Sequence, residues 1–220
     1  MIGLPTLVAH RVASPVEIDA DLTKPVWRSI APAVLTPATG KAQHVQRTEV
    51  RACWTTGWLY LAFDCADRDV WGTYRGRDEP LYEEEVVEAF LSPTGDLARY
   101  VELEVSPHNV VFDARVFSPE LKRSSMTVDR GWDLPGLVTA VQVRGTLDRR
   151  DDVDEGWSVE IAIPFAGLPE AREPTPGTEW RANFYRIDRA DPPEFTAWSP
   201  TLVRPADFHV PARFGILRFA

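Results

Sequence analysis

Aromatic residues mixed with carboxylates, amides and arginines recur at four places in this sequence. Residues 69–78 contain Trp71, Tyr74, Arg75 and Arg77, and residues 81–83 contain Tyr82. Residues 180–188 contain Asn183, Tyr185 and Arg186, and residues 207–209 contain Phe208. Such mixtures suit saccharides. The apolar C–H face of a sugar stacks on a ring, and its hydroxyls exchange hydrogen bonds with carboxylates, amides and guanidinium groups. A lone aromatic is more often core than platform. Trp27, Trp54 and Trp157 fit the core best, because each stands at an end of an apolar strand.

Carboxylates are the other reactive groups present in number. Glu83, Glu84, Glu85, Glu88, Glu102 and Glu104 supply candidates for the acid pair of a glycoside hydrolase. Such a pair must stand about 5 Å or about 6.5–9.5 Å apart across a cleft, one protonated and one ionised. The sequence singles out no such pair, so no catalytic residue is assigned. The sequence has no G-x-S-x-G, GxxxxGK[ST], GxGxxG or HExxH motif, which argues against nucleophile-elbow, nucleotide-binding and zincin chemistry.

His10, His44, His108 and His209 are isolated, which argues against a histidine-rich zinc site. Asp64, Asp67, Asp69 and Asp78 gather around one loop and offer oxygen ligands for calcium. Their spacing is not that of an EF-hand, so solvated loop charge is the expectation. A haem module would need axial ligands such as His and Met. Met126 is the only internal methionine, and no histidine is patterned with it.

The elements that must position these residues are strands. The dominant period is two, over TEVRACW, WLYLAFDC, EEVVEAFLS, RYVELEV, NVVFDARVF, LVTAVQVRGTL, GWSVEIAIPF, EWRANFYRID and FGILRF. Turn residues separate them, and no apolar helical pattern lasts beyond two turns. About nine or ten strands are expected, in an all-β, antiparallel β-sandwich of jelly-roll or immunoglobulin-like type with little helix. Residues 16–220 are read as one domain and residues 1–15 as an N-terminal extension. Alternation assigns Val101, Leu103 and Val105 to the core face, and Tyr100, Glu102 and Glu104 to the other. Likewise Val87, Ala89 and Leu91 face the core, with Val86, Glu88 and Phe90 opposite.

Composition limits the partners. Lys and Arg total 24 against 33 Asp and Glu, a net charge of −9. A basic footprint for nucleic acid or anionic membrane is therefore absent, and no apolar run approaches the ~20 residues of a membrane helix. The opening MIGLPTLVAHRV has no basic n-region, and Pro5 breaks its apolar run. No signal peptide is read, and cytoplasm is the default expectation. Cys53 and Cys65 flank a hairpin turn near Thr56 and Gly57 in a register that keeps them from facing each other. Two reduced thiols are expected.

Several segments resemble family 9 carbohydrate-binding modules. Residues 18–27 (IDADLTKPVW) resemble the opening I-D-G-x-L-x-x-x-x-W of that family, and residues 58–63 (WLYLAF) its x-L-Y-V-A-F strand. Arg77-Asp78 with residues 87–91 (VEAFL), residues 100–106 (YVELEVS) and residues 156–165 (GWSVEIAIPF) follow in order. Residues 180–186 (WRANFYR), 198–200 (WSP) and 208–215 (FHVPARFG) complete the match to the C-terminus.

The resemblance implies a β-sandwich that binds a saccharide, is associated with polysaccharide breakdown and xylanases, and has no catalytic centre. It also implies structural calcium. Members clamp a terminal sugar, often a reducing end, between two tryptophans. By position the clamp residues are Tyr82 and Phe208, and polar contacts fall on Glu88 and near Asn183 and Arg186. Two positions depart from the pattern: neither clamp residue is tryptophan, and Glu104 stands where an arginine contact is expected. Trp71 and Trp198 are near enough in sequence to supply replacement rings. The alternatives are an enzyme using paired glutamates, a haem module and a protein-interaction domain.

Overall fold

A computed structural model describes residues 3–41, 43 and 45–220. His44 and the first two residues of the N-terminal segment lie outside this description. Fourteen strands occur among the described residues. They are β1 (Thr6–Arg11), β2 (Ala33–Val34), β3 (Thr36–Pro37), β4 (Thr48–Thr55), β5 (Trp58–Ala66), β6 (Val86–Ser92) and β7 (Arg99–Val105). After these come β8 (Val111–Phe117), β9 (Thr127–Asp129), β10 (Val138–Arg144), β11 (Gly156–Pro164), β12 (Glu179–Asp188), β13 (Glu194–Ala197) and β14 (Gly215–Phe219). The count exceeds the nine or ten expected because β2, β3, β9 and β13 are too short to show a period. One short α-helix, α1 (Pro25–Arg28), is present.

The strands follow one hydrogen-bonded order, β10-β11-β5-β4-β1-β14-β12-β6-β7-β8-β9. All pairings are antiparallel except those of β1, which runs parallel to both neighbours. Residues 6–9 pair with β14, and His10 and Arg11 pair with β4. β1 thus joins two half-sheets that face each other as a sandwich. Residues 6–11 of the segment read as an N-terminal extension are therefore hydrogen-bonded in the middle of the strand order.

The β4–β5 turn shows how sequence sets register. Thr55 pairs with Trp58 across Thr56 and Gly57, and Gly57 takes φ +86°, which glycine adopts without steric cost. In that register Cys53 pairs with Tyr60 and Cys65 with Thr48, so the two buried thiols are apart and free.

Alternation places the inter-sheet core. Val87, Ala89, Leu91, Val101, Leu103 and Val105 meet Leu61, Phe63, Trp157 and Val159 of the other half. Phe63 and Phe184 touch edge to face across the layer, with centroids 6.1 Å apart. The opposite faces are not left to solvent. Residues 12–30 cover the outer face of β4, β5 and β11, with Trp27 buried there. Irregular segments containing Leu81, Val110, Phe208 and Phe214 cover the outer face of β6, β7, β8 and β12. The non-core side of those four strands is therefore a second buried layer, and it holds the site.

Candidate functional site

A cavity of about 270 Å³ opens on this second layer. Its floor is built from alternate positions of adjacent strands. Glu88 of β6 pairs with Glu104 of β7, Glu102 with Phe90, and Glu104 with Phe112 of β8. Direct cross-strand partners share a face, so three glutamates and two phenylalanines project to one side. Of these, Glu88, Glu102 and Phe112 line the cavity, and Ile187 of β12 joins them. The walls come from irregular chain. Tyr82 lies in the short turn at Leu81–Glu83, and Arg123, Met126 and Arg130 lie around β9. Phe195 and residues 206–209 close the remaining side.

The rings are held by their neighbours. Phe208 stacks on Tyr185 with centroids 4.2 Å apart, and the Tyr185 hydroxyl donates to the Phe208 carbonyl at 2.9 Å. Tyr82 meets Phe112 edge to face at 6.0 Å. Arg130 donates to the Tyr82 hydroxyl oxygen at 3.2 Å and lies over both rings. Arg123 pairs with Asp207 at 2.6 Å, and Asp207 also accepts the His209 N–H at 3.0 Å. The Tyr100 hydroxyl and His209 Nδ1 share a hydrogen bond of 2.8 Å.

Burial dominates the electrostatics. It pushes the Glu102 carboxyl up to about 7, against a hydrogen bond with Glu104 and the pull of the Arg123 and Arg130 charges. Glu88 and Glu104 are driven well above the usual carboxylate range by burial, then by the neighbouring glutamates. His209 is pushed down to about 4, by burial and then by the Arg123 charge.

Of the residues singled out in the sequence, Tyr82, Glu88 and Phe208 line this cavity, and Glu104 lies in the floor beside Glu88 and Glu102. The others are engaged elsewhere. Asn183 is buried, with its amide donating to the Tyr185 hydroxyl and the Ser199 carbonyl, both at 2.8 Å. Its Oδ1 accepts the Ser199 N–H at 2.9 Å. Arg186 is on the inner face of β12, 1% exposed. It donates to Asp67 at 2.7 Å and to the Ala66 carbonyl at 2.6 Å, with Asp188 at 3.0 Å. Trp71 sits in the loop after β5 with the Arg150 guanidinium 4.4 Å from its ring centre, and is not among the cavity lining. Trp198 is buried against Phe184, and its ring occupies the space where a Gly215 Cβ would stand.

Sequence reasoning passed over Phe112, Arg123, Arg130 and Phe195. The register of the β7–β8 hairpin was enough to place Phe112 beside Glu104. The other three lie on short strands and irregular chain that carry no period.

Two acidic clusters do not fit the structural calcium that the resemblance implies. Arg186 occupies the group formed by Asp67, Glu85 and Asp188, and Arg77 pairs with Asp113 and Asp133 in the group they form with Asp78. Of the four aspartates near one loop, Asp64 pairs with Arg144, Asp67 with Arg186 and Asp69 with Arg150. Met126 and His209 do share the cavity through the Tyr100 hydroxyl. Its volume is nevertheless at the small end of ligand pockets, which run to about 300–1,000 Å³, and suits one sugar ring rather than a macrocycle.

The sequence model of Carbohydrate-binding family 9 matches residues 38–219. An extracellular protein of Arthroderma benhamiae is 29% identical over 145 residues, which are 64% of this chain and 63% of that protein. The match thus spans less than two thirds of that relative's length. Among solved structures, a Bacteroides uniformis protein to which carbohydrate binding has been assigned superposes with a TM-score of 0.79 at 20% identity. The superposition covers 99% of this chain and all of that one. Two structures of a family 9 carbohydrate-binding module from Caldicellulosiruptor kristjanssonii, one with cellotriose and one with glucose, give TM-scores of 0.66 and 0.67 at 17% identity. They cover 98% of this chain and 93% and 96% of theirs. These likenesses show the same fold.

Proposed function

The chain belongs to carbohydrate-binding family 9, and on that premise we propose that it holds a saccharide in the cavity over β6, β7, β8 and β12. The observation that carries this reading is the convergence of rings and polar groups on one small hollow. Tyr82 and Phe208, the residues to which the resemblance gives the stacking role, line it, and Phe112 and Phe195 add apolar wall. Glu88, Glu102, Arg123, Arg130 and Asp207 offer partners for hydroxyls. The rings are fixed by packing before any ligand arrives, so binding orders little and retains most of its contact energy.

Binding fits this arrangement better than hydrolysis. A glycosidase keeps one carboxylate ionised while its partner holds a proton. Here burial raises all three floor glutamates together, so none is held firmly ionised at neutral pH. The module would serve polysaccharide breakdown by attaching to the sugar, with the bond-breaking done elsewhere.

Isothermal titration of the protein with glucose, xylose, cellobiose and xylobiose tests the reading, each sugar beside its alditol. Heat of binding with a sugar is expected. Binding to a sugar and not to its alditol places a reducing end in the cavity. Absence of heat with every sugar, amino sugars included, overturns the proposal.

A further inference from the structure

The floor of the cavity carries buried carboxyl oxygens that are short of donors. One carboxyl oxygen from each of Glu88, Glu102 and Glu104 lies within 4.8 Å of the other two. Glu104 is 0% exposed and Glu88 2%. Glu88 Oε1 and both carboxyl oxygens of Glu104 lack a donor at good hydrogen-bond geometry among the described residues, with only the Glu102 carboxyl and the Tyr82 N–H beside Glu104. The arginines of the rim are committed: Arg123 to Asp207, and Arg130 to the Tyr82 hydroxyl. The two other acidic clusters among the described residues each pair with an arginine, whereas Arg123 and Arg130 act on this one only from a distance. Buried acceptors without donors destabilise a fold, so three gathered at the floor of a hollow are shaped for something brought in.

Oxygens this close together can converge on one small cation with several donors. A primary ammonium presents three N–H donors in a tetrahedral tripod. At charge-assisted lengths of about 2.8 Å, the three acceptors of such a tripod stand roughly 4.6 Å apart. A calcium ion would call for about six to eight oxygens. The lining beside the triad is instead Phe112, Phe208 and Ile187, and the guanidinium groups of Arg123 and Arg130 repel a double charge more than a single one. A net charge of −9 attracts a cationic ligand from a distance.

We propose that the saccharide is an amino sugar, whose primary ammonium seats among Glu88, Glu102 and Glu104 while its ring rests against Tyr82 and Phe208. This deepens the saccharide reading above and rests on it. The glutamate in place of the family's arginine then has a purpose: it exchanges a donor to a hydroxyl for an acceptor from an ammonium.

The test is titration of the intact chain with D-glucosamine, N-acetyl-D-glucosamine and D-glucose slightly below neutral pH, once with a chelator and once with calcium chloride. The expected result is glucosamine binding tighter than either neutral sugar by about tenfold or more, unchanged by the chelator. Glucose bound as tightly as glucosamine overturns the inference and leaves the saccharide reading standing, as does neutral-sugar binding that appears only with calcium. No binding by any sugar overturns both. Glu104→Gln, checked for folding by its thermal transition, is expected to bring the glucosamine-to-glucose ratio close to one. A ratio as large as that of the unmodified protein overturns the role of the triad. If this variant does not fold, the comparison of the three sugars with the unmodified protein still decides.

Discussion

Arg186 and Tyr82 were both drawn from the sequence as sugar contacts, and the structure gives them opposite surroundings. Arg186 is enclosed by Asp67, Glu85 and Asp188 where β12 meets the end of β5, and it donates to the Ala66 carbonyl. A buried cation surrounded by carboxylates is costly to remove, because the acids left behind lose their counter-charge. Arg186→Met is expected to cost about 3–5 kcal/mol of stability, read from chemical denaturation. A variant with unchanged stability and no sugar binding would instead make Arg186 a ligand contact. Tyr82 is half-buried at the cavity rim and held by Phe112 and Arg130. Tyr82→Ala is expected to weaken saccharide binding by about 1–3 kcal/mol by titration, with the thermal transition little changed. Equal affinity in the variant removes Tyr82 from the site. The motif W-R-A-N-F-Y-R reads as sugar-binding by composition, yet its Asn183 and Tyr185 are hydrogen-bonded within the protein and its Arg186 faces inward. Nothing in its composition separates polar groups that close the fold from groups free to meet a ligand.

At the scale of elements, two of the motifs that carried the resemblance turn out to be partners. Glu160 of β11 is 0% exposed, and its carboxylate accepts the N–H groups of Asp19 and Ala20 at 2.8 and 2.7 Å. It also accepts from Lys24 Nζ at 2.8 Å and from the Trp27 indole. The spacing in residues 18–27 is thus that of a clasp, which fastens the N-terminal segment over the outer face of β4, β5 and β11. Ala20 takes φ +63° there, where the family pattern has glycine. An L-residue in that region carries about 1–2 kcal/mol of strain. Ala20→Gly is expected to raise stability by about 1 kcal/mol in urea denaturation, and a loss of stability would show the methyl to matter more than the backbone. Strand faces were legible because alternation is a local signal: the residues assigned to the core between the half-sheets lie there. The second buried layer was not legible. It is created by residues 118–131 and 195–214, whose turns and short strands carry no period. The glutamates of β6 and β7 therefore read as a polar outer face and are found beneath a cover.

For the molecule as a whole, that buried acidic layer sets the response to pH. Glu102 has its carboxyl pushed up to about 7, and Glu88 and Glu104 lie well above their ordinary range. In the unfolded chain the same groups titrate near 4.3. Between these values the folded state holds more protons than the unfolded one. The contribution is therefore fully present below the unfolded value and is lost as pH rises through about 7. Around the triad, the Arg123 and Arg130 charges favour ionisation of Glu102, and burial keeps the Tyr100 and Tyr185 hydroxyls neutral across the range. His209 works in the other sense. Its value of about 4 means that the unfolded chain takes up its proton first, so its contribution declines as pH falls from about 6.5 to about 4. Three carboxyls outweigh one imidazole. The ligand-free protein is expected to melt at higher temperature at about pH 5.5 than at about pH 8, by at least ~2–4 °C. Differential scanning calorimetry across that range checks it, and Glu102→Gln should flatten the profile. A transition that falls steadily toward acid would mean that the triad is ionised in the folded state and already has its counter-charge. An ammonium ligand would reverse the trend, because it binds the ionised triad. Its affinity should tighten as pH rises toward neutrality, while that of a neutral sugar follows the protonated form.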